Sequence, residues 1–334
     1  MVDFSRGISA TYYASKVDPK TWADAGEISI ISGEITKNAE SDIIASADIT
    51  VREDIGAEEW LRIYMIAEQG GAKERIPLFT GIVSSPSRDI EGNRETRKLD
   101  CYSVLKVSSD ILLPLGWFAP ARTKGGDLIK ILLSDLPCPV ELDEGSPNII
   151  SSFVAGDNDS KLSVAQEIAE AINWQIKVNG DGSVRICPKP LTIAGTFDNI
   201  ENDIIETSVS DSRDIFNVPN VLRVTLQGSA ATARDDDPDS PYSTISRGRE
   251  IWHQEAAKLA AGESLGEYAD RRLKELQNPS RKLSYTRRFQ PDVDVNDLVS
   301  IVYPKQNIGD VFRVQSQTIE LSHGSKVKEE AINE

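Results

Sequence analysis

LDCYSVLKVSSDILLPLGWFAP, residues 99–120, decides how the rest of the chain divides. It begins as a strand. Leu99, Cys101 and Ser103 alternate with Asp100, Tyr102 and Val104, the period of two that puts successive side chains on opposite faces of a sheet. It then becomes an apolar connector, with Ile111, Leu112, Leu113, Leu115, Trp117 and Phe118 inside eight residues. Pro114 and Pro120 stop a helix from running through, because proline lacks an N–H and clashes with the preceding turn. So much apolar area does not suit a solvated linker, and the segment is expected to wedge one domain against the next.

Upstream, everything reads as strands and turns. Residues 27–31 form a candidate strand closed by Ser32-Gly33. SADITV, residues 46–51, sets Ala47, Ile49 and Val51 against Ser46, Asp48 and Thr50. WLRIYMIA, residues 60–67, is dense in β-formers with only partial alternation, which predicts a strand covered on both faces. Gly70-Gly71 and Gly92-Asn93 mark turns on either side of a strand over residues 76–84, and residues 97–107 follow as another. Strands at this spacing predict a small barrel or sandwich over residues 1–110.

Downstream, residues 111–190 hold the connector and an α/β module. A short amphipathic helix is predicted over residues 127–136, with Leu128, Ile131, Leu132 and Leu136 on one side. A second covers 162–173, with Leu162, Ala165, Ile168, Ala169 and Ile172 inward and Ser160 or Ser163 as cap, the latter with Gln166 as reciprocal partner. WQIKV, NGDG and SVRIC, residues 174–187, form a hairpin whose Asn-Gly and Asp-Gly supply positive φ. Residues 191–334 return to β, with strands over 218–226, 283–289, 298–303 and 311–321. One helix interrupts them at 264–277, with Ser264 and Glu267 as a capping box and Leu265, Ala269, Leu273 and Leu276 as its stripe. Residues 247–258 fit a helix through Trp252, Ala256 and Leu259, yet follow a β-like STIS. Strands after residue 190 are free to return and complete the first barrel.

The 334 residues carry 37 Lys+Arg against 53 Asp+Glu, a net charge of −16. Such a chain has no overall attraction for nucleic-acid phosphate or anionic membrane, and neither specific nucleic-acid binding nor membrane insertion is expected. No apolar run approaches the ~20 residues of a membrane-spanning helix. The start, MVDFSRGISATYY, lacks the basic and apolar regions of a signal peptide, which predicts synthesis in a cytosol. Residues 271–290 hold Arg271, Arg272, Lys274, Arg281, Lys282, Arg287 and Arg288 against only Glu275. Residues 198–214 hold Asp198, Glu201, Asp203, Glu206, Asp211 and Asp214 against only Arg213. These are either solvated faces or complementary patches. On the second view Arg271, Arg272, Arg287 and Arg288 meet Asp198, Glu201, Asp203 and Glu206 between subunits.

Chemistry is sparse. Cys101, Cys138 and Cys187 form neither a zinc spacing nor a disulfide framework and read as small buried hydrophobes. His253, beside Trp252, reads as a partly buried structural residue and His323 as a turn residue. No nucleophile elbow, zinc-protease helix, P-loop or dinucleotide fingerprint occurs. Asp235, Asp237 and Asp239, and likewise Asp292, Asp294 and Asn296, start like calcium loops, but Ser240 and Ser246 in the first and Asp297 and Tyr303 in the second break the template. Aromatics at 6% argue against a sugar-binding cleft. No catalytic, cofactor-binding or metal-binding residue is expected, and an enzyme is not expected.

Several stretches resemble one family in order along the chain. They are ADITV (47–51), WLRIYMIAE (60–68), PLFTGIVSSPSRDIEG (77–92), LDCYSVLKV (99–107), LLPLGWFAPA (112–121), AINWQIKVNGDGSVRICP (171–188) and DIFNVPNVLRVT (214–225). The chain resembles the baseplate hub, or tail-hub, proteins of tailed phages and prophages. The resemblance implies a mainly β (α+β) fold: two tail-tube-like antiparallel β-barrel domains, residues 1–110 and 191–334, with the small α/β module of 111–190 between them. It implies a homotrimeric ring that joins the tail-tube or distal tail protein to a central spike or tip protein, with a tape-measure protein as a further partner, and lets DNA pass. It implies a place in the virion tail after synthesis in a bacterial host's cytoplasm. The resemblance also favours a strand over residues 247–258. Some relatives carry a peptidoglycan-cleaving extension; this sequence ends KVKEEAINE, and lytic activity is not expected. The alternatives are a receptor- or carbohydrate-binding tail-tip module and a cell-wall hydrolase.

Overall fold

A computed structural model describes residues 2–198, 205–213, 215–226, 228–257, 264–277 and 281–333. Glu201, Asp203 and Leu259, as well as Asp214, lie outside the described residues. The chain opens with β1 (Ser9–Val17), β2 (Asp24–Asn38), β3 (Ala45–Val51), β4 (Trp60–Gln69), β5 (Ala72–Val83), β6 (Ser87–Glu91) and β7 (Arg94–Ser103). Next come α1 (Lys106–Ser109), β8 (Phe118–Ala119), α2 (Gly125–Leu132), β9 (Val140–Leu142), β10 (Phe153–Val154), α3 (Lys161–Ala171), β11 (Trp174–Val178) and β12 (Val184–Pro188). Then follow β13 (Ile193–Asp198), β14 (Ile205–Arg213), β15 (Val221–Leu226), β16 (Ser229–Arg234), α4 (Thr244–Arg247) and β17 (Trp252–Ala256). The chain closes with α5 (Leu265–Leu276), β18 (Arg281–Arg288), β19 (Leu298–Tyr303), β20 (Ile308–Glu320) and β21 (Lys326–Ile332).

The chain divides into two units: Met1–Val209 with Ser284–Ala331, and Ser210–Leu283 with Ile332–Glu334. This differs from three successive segments. The cause is β20, which pairs antiparallel with β2 from Glu34↔Glu320 to Asn38↔Ser316 and so ties the end of the chain to its beginning.

In the larger unit β1, β4, β5, β7, β3 and β2 hydrogen-bond in that order, and β2 returns to β1 through Tyr13↔Ser29 to Val17↔Asp24. The cycle is closed, which removes free edges. The alternation in β7 holds: Leu99, Cys101 and Ser103 are buried and Asp100 is exposed. β4 is covered on both faces, as its composition predicts. Leu61, Ile63, Met65 and Ala67 enter the core, while Arg62 is buried on the other face, donating to Asp24 Oδ1 at 2.8 Å and Thr80 Oγ1 at 3.0 Å. Ser32-Gly33 is not a turn. β2 runs through it with a register shift, and a Cβ on Gly33 would sit 2.4 Å from the Asp48 carbonyl oxygen, so the glycine serves close approach of two strands. A second row of strands, β13-β19-β20-β21-β18-β14, continues the sheet.

The α/β module belongs to the larger unit. β11 and β12 form the expected hairpin, β9 adds parallel to β12, and α2 and α3 bury Ile129, Leu132, Leu162, Ala165 and Ile168 with Trp174, Ile176, Val184 and Ile186. Ser160, not Ser163, caps α3 by accepting the Ser163 N–H at 3.0 Å. The connector is only half buried. Leu113 and Ala119 join this core, while Leu112, Leu115 and Phe118 face solvent.

In the smaller unit, β16-β15-β17 form a three-stranded sheet. One face packs Leu222, Val224 and Ala233 against Tyr268, Ala269 and Leu273 of α5. The Ser264–Glu267 capping box is present. Residues 252–256 are a strand, parallel to β15, whereas STIS starts the helical turn α4, capped by Ser243.

Candidate functional site

The charged residues singled out in the sequence are largely engaged within the chain. Arg287 is not a surface residue: its side chain is 1% exposed, and it donates to the buried carboxylate of Glu329 at 2.8 Å. Arg271 pairs with Glu275 at 2.7 Å, and Arg272 with Glu255 at 3.2 Å and Glu275 at 3.0 Å. Arg288 donates to the Ser5 carbonyl at 3.3 Å. Glu206 accepts from Lys326 at 2.7 Å, and Asp198 ends β13 opposite Val302. The basic and acidic stretches meet inside the chain, where Arg281 binds Asp211 at 2.7 Å and holds its carboxyl below the usual range.

The acidic loops serve as turns. Asp235 Oδ1 accepts the Asp237 N–H, Asp237 Oδ1 accepts the Asp239 N–H, and Asp235 Oδ2 takes Ser240 and Gln277. Asp294 lies in a cleft of about 320 Å³ with Lys37, Lys177, Asp292 and Gln317. Burial pushes Asp294 up, but Lys37, at 3.0 Å, and Lys177 outweigh it and hold the carboxyl below its usual range. All three cysteines are buried, and burial pushes the Cys101 and Cys138 thiols up to about 12. His253 is more exposed than expected, with Nε2 3.4 Å from Glu255, and His323 is in a turn.

Sequence reading missed a row of carboxylates on the exposed face of the closed strand cycle. Asp100 on β7 lies opposite Asp48 on β3, Asp48 opposite Glu34 on β2, and Glu34 opposite Glu320 on β20. Like charges directly opposite across strands cost stability. The Asp48 carboxyl accordingly titrates above its usual range, from partial burial first, then from Asp100 and Glu34. A raised pKa in the folded state contributes stability below the ordinary aspartate range and loses it as pH rises through the raised value. Asp48→Asn is therefore expected to raise stability at neutral pH by on the order of a few tenths of a kcal/mol, since the row is exposed and screened. The gain should vanish in acid, where all four groups are protonated. Urea unfolding at several pH values measures it, and a neutral-pH loss counts against the repulsion. The signal for the row was present in SADITV and LDCYS, whose outward Asp48 and Asp100 only strand pairing could align.

The sequence matches no family model and no curated protein. Solved structures share its fold. The tail protein from Neisseria meningitidis MC58 superposes with a TM-score of 0.70 at 14% identity, over 97% of each chain. The 43 kDa tail protein of prophage MuSo2 from Shewanella oneidensis gives 0.66 at 12% identity, over 97% of this chain and 98% of that one. A chain of the half-lidded Francisella PdpA–VgrG complex gives 0.57 at 10% identity, over 98% of this chain and 58% of that one. The chain therefore has a mainly β fold shared with phage and prophage tail proteins.

Proposed function

We propose that this chain is a structural component of a phage-type tail, the hub of its baseplate or tip. Three copies form a ring that joins the tail tube to the central spike or tip protein. The observation that carries this reading is the whole-chain likeness in fold to tail proteins, which spans 97% of the chain. On this reading the closed six-strand cycle and the second row of strands each serve as a wall element, so that three copies would match a six-fold tube; the pairing of the strands supports it. The tail-tube or distal tail protein, the spike or tip protein and a tape-measure protein are its partners, and its place is the virion tail. DNA passes through the ring without binding, as suits a chain of net charge −16. The role is assembly, not catalysis.

Light scattering of the purified chain over concentration and salt tests this reading. With a subunit of 36.7 kDa, a ring of three has a mass of about 110 kDa. A monomer under every condition that also fails to bind neighbouring tail proteins would remove the hub reading and move weight to a receptor-binding module, read out as glycan affinity.

A further inference from the structure

The charges expected to join subunits are largely spent inside the chain, so a contact between copies draws on other groups. In the smaller unit α5 covers one face of the β16-β15-β17 sheet. The strand register puts Arg223, Thr232, Trp252 and Gln254 together on the opposite face, and all four are exposed. The Arg223 guanidinium lies 5.2 Å from the ring centre of Trp252, which is 51% exposed. Three residues before Trp252, Arg249 stacks 4.0 Å from the ring centre of Phe216, which is 69% exposed, and donates a hydrogen bond to the Phe216 carbonyl. Neither Arg223 nor Arg249 has a carboxylate partner among the described residues. Glu250 and Asp236, close by, are both held by Arg234.

A guanidinium stacked on an exposed ring is a fork already oriented toward carboxylates, with little side-chain freedom left to lose. Trp and Arg are also the residue types that dominate binding energy at interfaces. The matching charge is on the larger unit. Asp100, Asp48, Glu34 and Glu320 form one row across four strands, about 14 Å long at the ordinary strand spacing. Small hydroxyl residues flank it: Ser46, Thr36 and Thr318 stand one step along on the same face. We propose that the Arg223–Trp252 and Arg249–Phe216 face of one copy docks on this carboxylate row of a second copy. The two surfaces differ, so the contact is head-to-tail, and such contacts close into a ring when the rotation allows. The repulsion that each copy carries alone is relieved on assembly. This rests on the ring proposed above and names the surfaces that hold it together.

The test compares four full-length chains by light scattering at low and high salt: the wild type, Arg223→Glu with Arg249→Glu, Asp48→Lys with Asp100→Lys, and all four changes together. Each pair of reversals is expected to weaken self-association by about ten-fold or more at low salt, and the combination to restore most of it. Asp48→Lys with Asp100→Lys exchanges one like-charge pair for another while setting a positive charge at position 48 opposite Glu34. It is therefore expected to melt no lower than the wild type, and a melting curve run beside the scattering shows that weaker association does not come from misfolding. A wild-type trimer that withstands both reversals, or a combination that restores nothing, overturns this contact and leaves the ring reading standing. A wild type that is monomeric throughout overturns this contact, and it overturns the hub reading as well only when the chain also fails to bind neighbouring tail proteins.

Discussion

Arg287→Ala is expected to cost the larger unit about 3–5 kcal/mol, the penalty for stranding one partner of a buried ion pair. Glu329 is 0% exposed and lies on β21 beside β18. Its two oxygens accept from Arg287 Nε at 2.8 Å, from Arg287 Nη2, and from Gln317 Nε2 at 2.6 Å, while Gln317 Nε2 also donates to the Val293 carbonyl at 3.0 Å. The guanidinium lies 4.8 Å from the ring centre of Phe197, and burial, then the Glu329 charge, pushes the neighbouring Tyr285 phenol well above its usual value. Without Arg287 the buried carboxylate loses the countercharge that it has in the folded chain. Arg287→Met combined with Glu329→Leu removes both charges and should cost much less than either single truncation. Urea unfolding of the three chains measures the difference. A loss below about 1 kcal/mol for Arg287→Ala would show that the pair is solvated after all.

The sequence held the signal for this residue. In RKLSYTRR, Arg281, Leu283, Tyr285 and Arg287 share one face and are all buried, while Lys282, Ser284, Thr286 and Arg288 point the other way. Period-2 alternation places Arg287 with Leu283 and Tyr285, but its charge drew it to the surface patch. Local patterning served well wherever one strand or helix decided its own fate. Examples are the two-sided burial of β4, the capping box of α5 and the hairpin over residues 174–187. It failed where distant strands decide. Nothing within Val311 to Glu320 announces pairing with Glu34, and it is this pairing that divides the chain discontinuously and extends the carboxylate row. Gly33 shows the same limit: a glycine read as a turn is there because a neighbouring strand passes too close for a side chain.

The NGDG turn carries a second large effect for that reason. Only Gly182 there has positive φ, at 80°; Gly180 does not. A Cβ on Gly180 would lie 2.0 Å from the Pro77 carbonyl oxygen, 2.5 Å from the Pro77 carbonyl carbon and 3.1 Å from the Leu78 nitrogen. All three are backbone atoms of β5, so no flexible side chain can move aside. Around this contact the Thr80 hydroxyl donates to the Gly180 carbonyl at 2.8 Å and the Trp22 indole N–H to the Asp181 carbonyl at 3.0 Å. The hairpin tip is thus the clamp that seats the α/β module on the closed strand cycle. Gly180→Val is expected to cost about 1–3 kcal/mol, the range for forcing atoms into a filled contact. Trp22 should become more hydrated as the tip lifts, which shifts its fluorescence to longer wavelength. Gly70→Ala is the control: it also changes a hairpin glycine, but its Cβ meets open space, so only the positive φ of 55° is strained. If Gly180→Val melted no lower than that control, with unchanged fluorescence, the tip would not be seated on β5, and the module's position would have to rest on the connector at residues 104–119 instead.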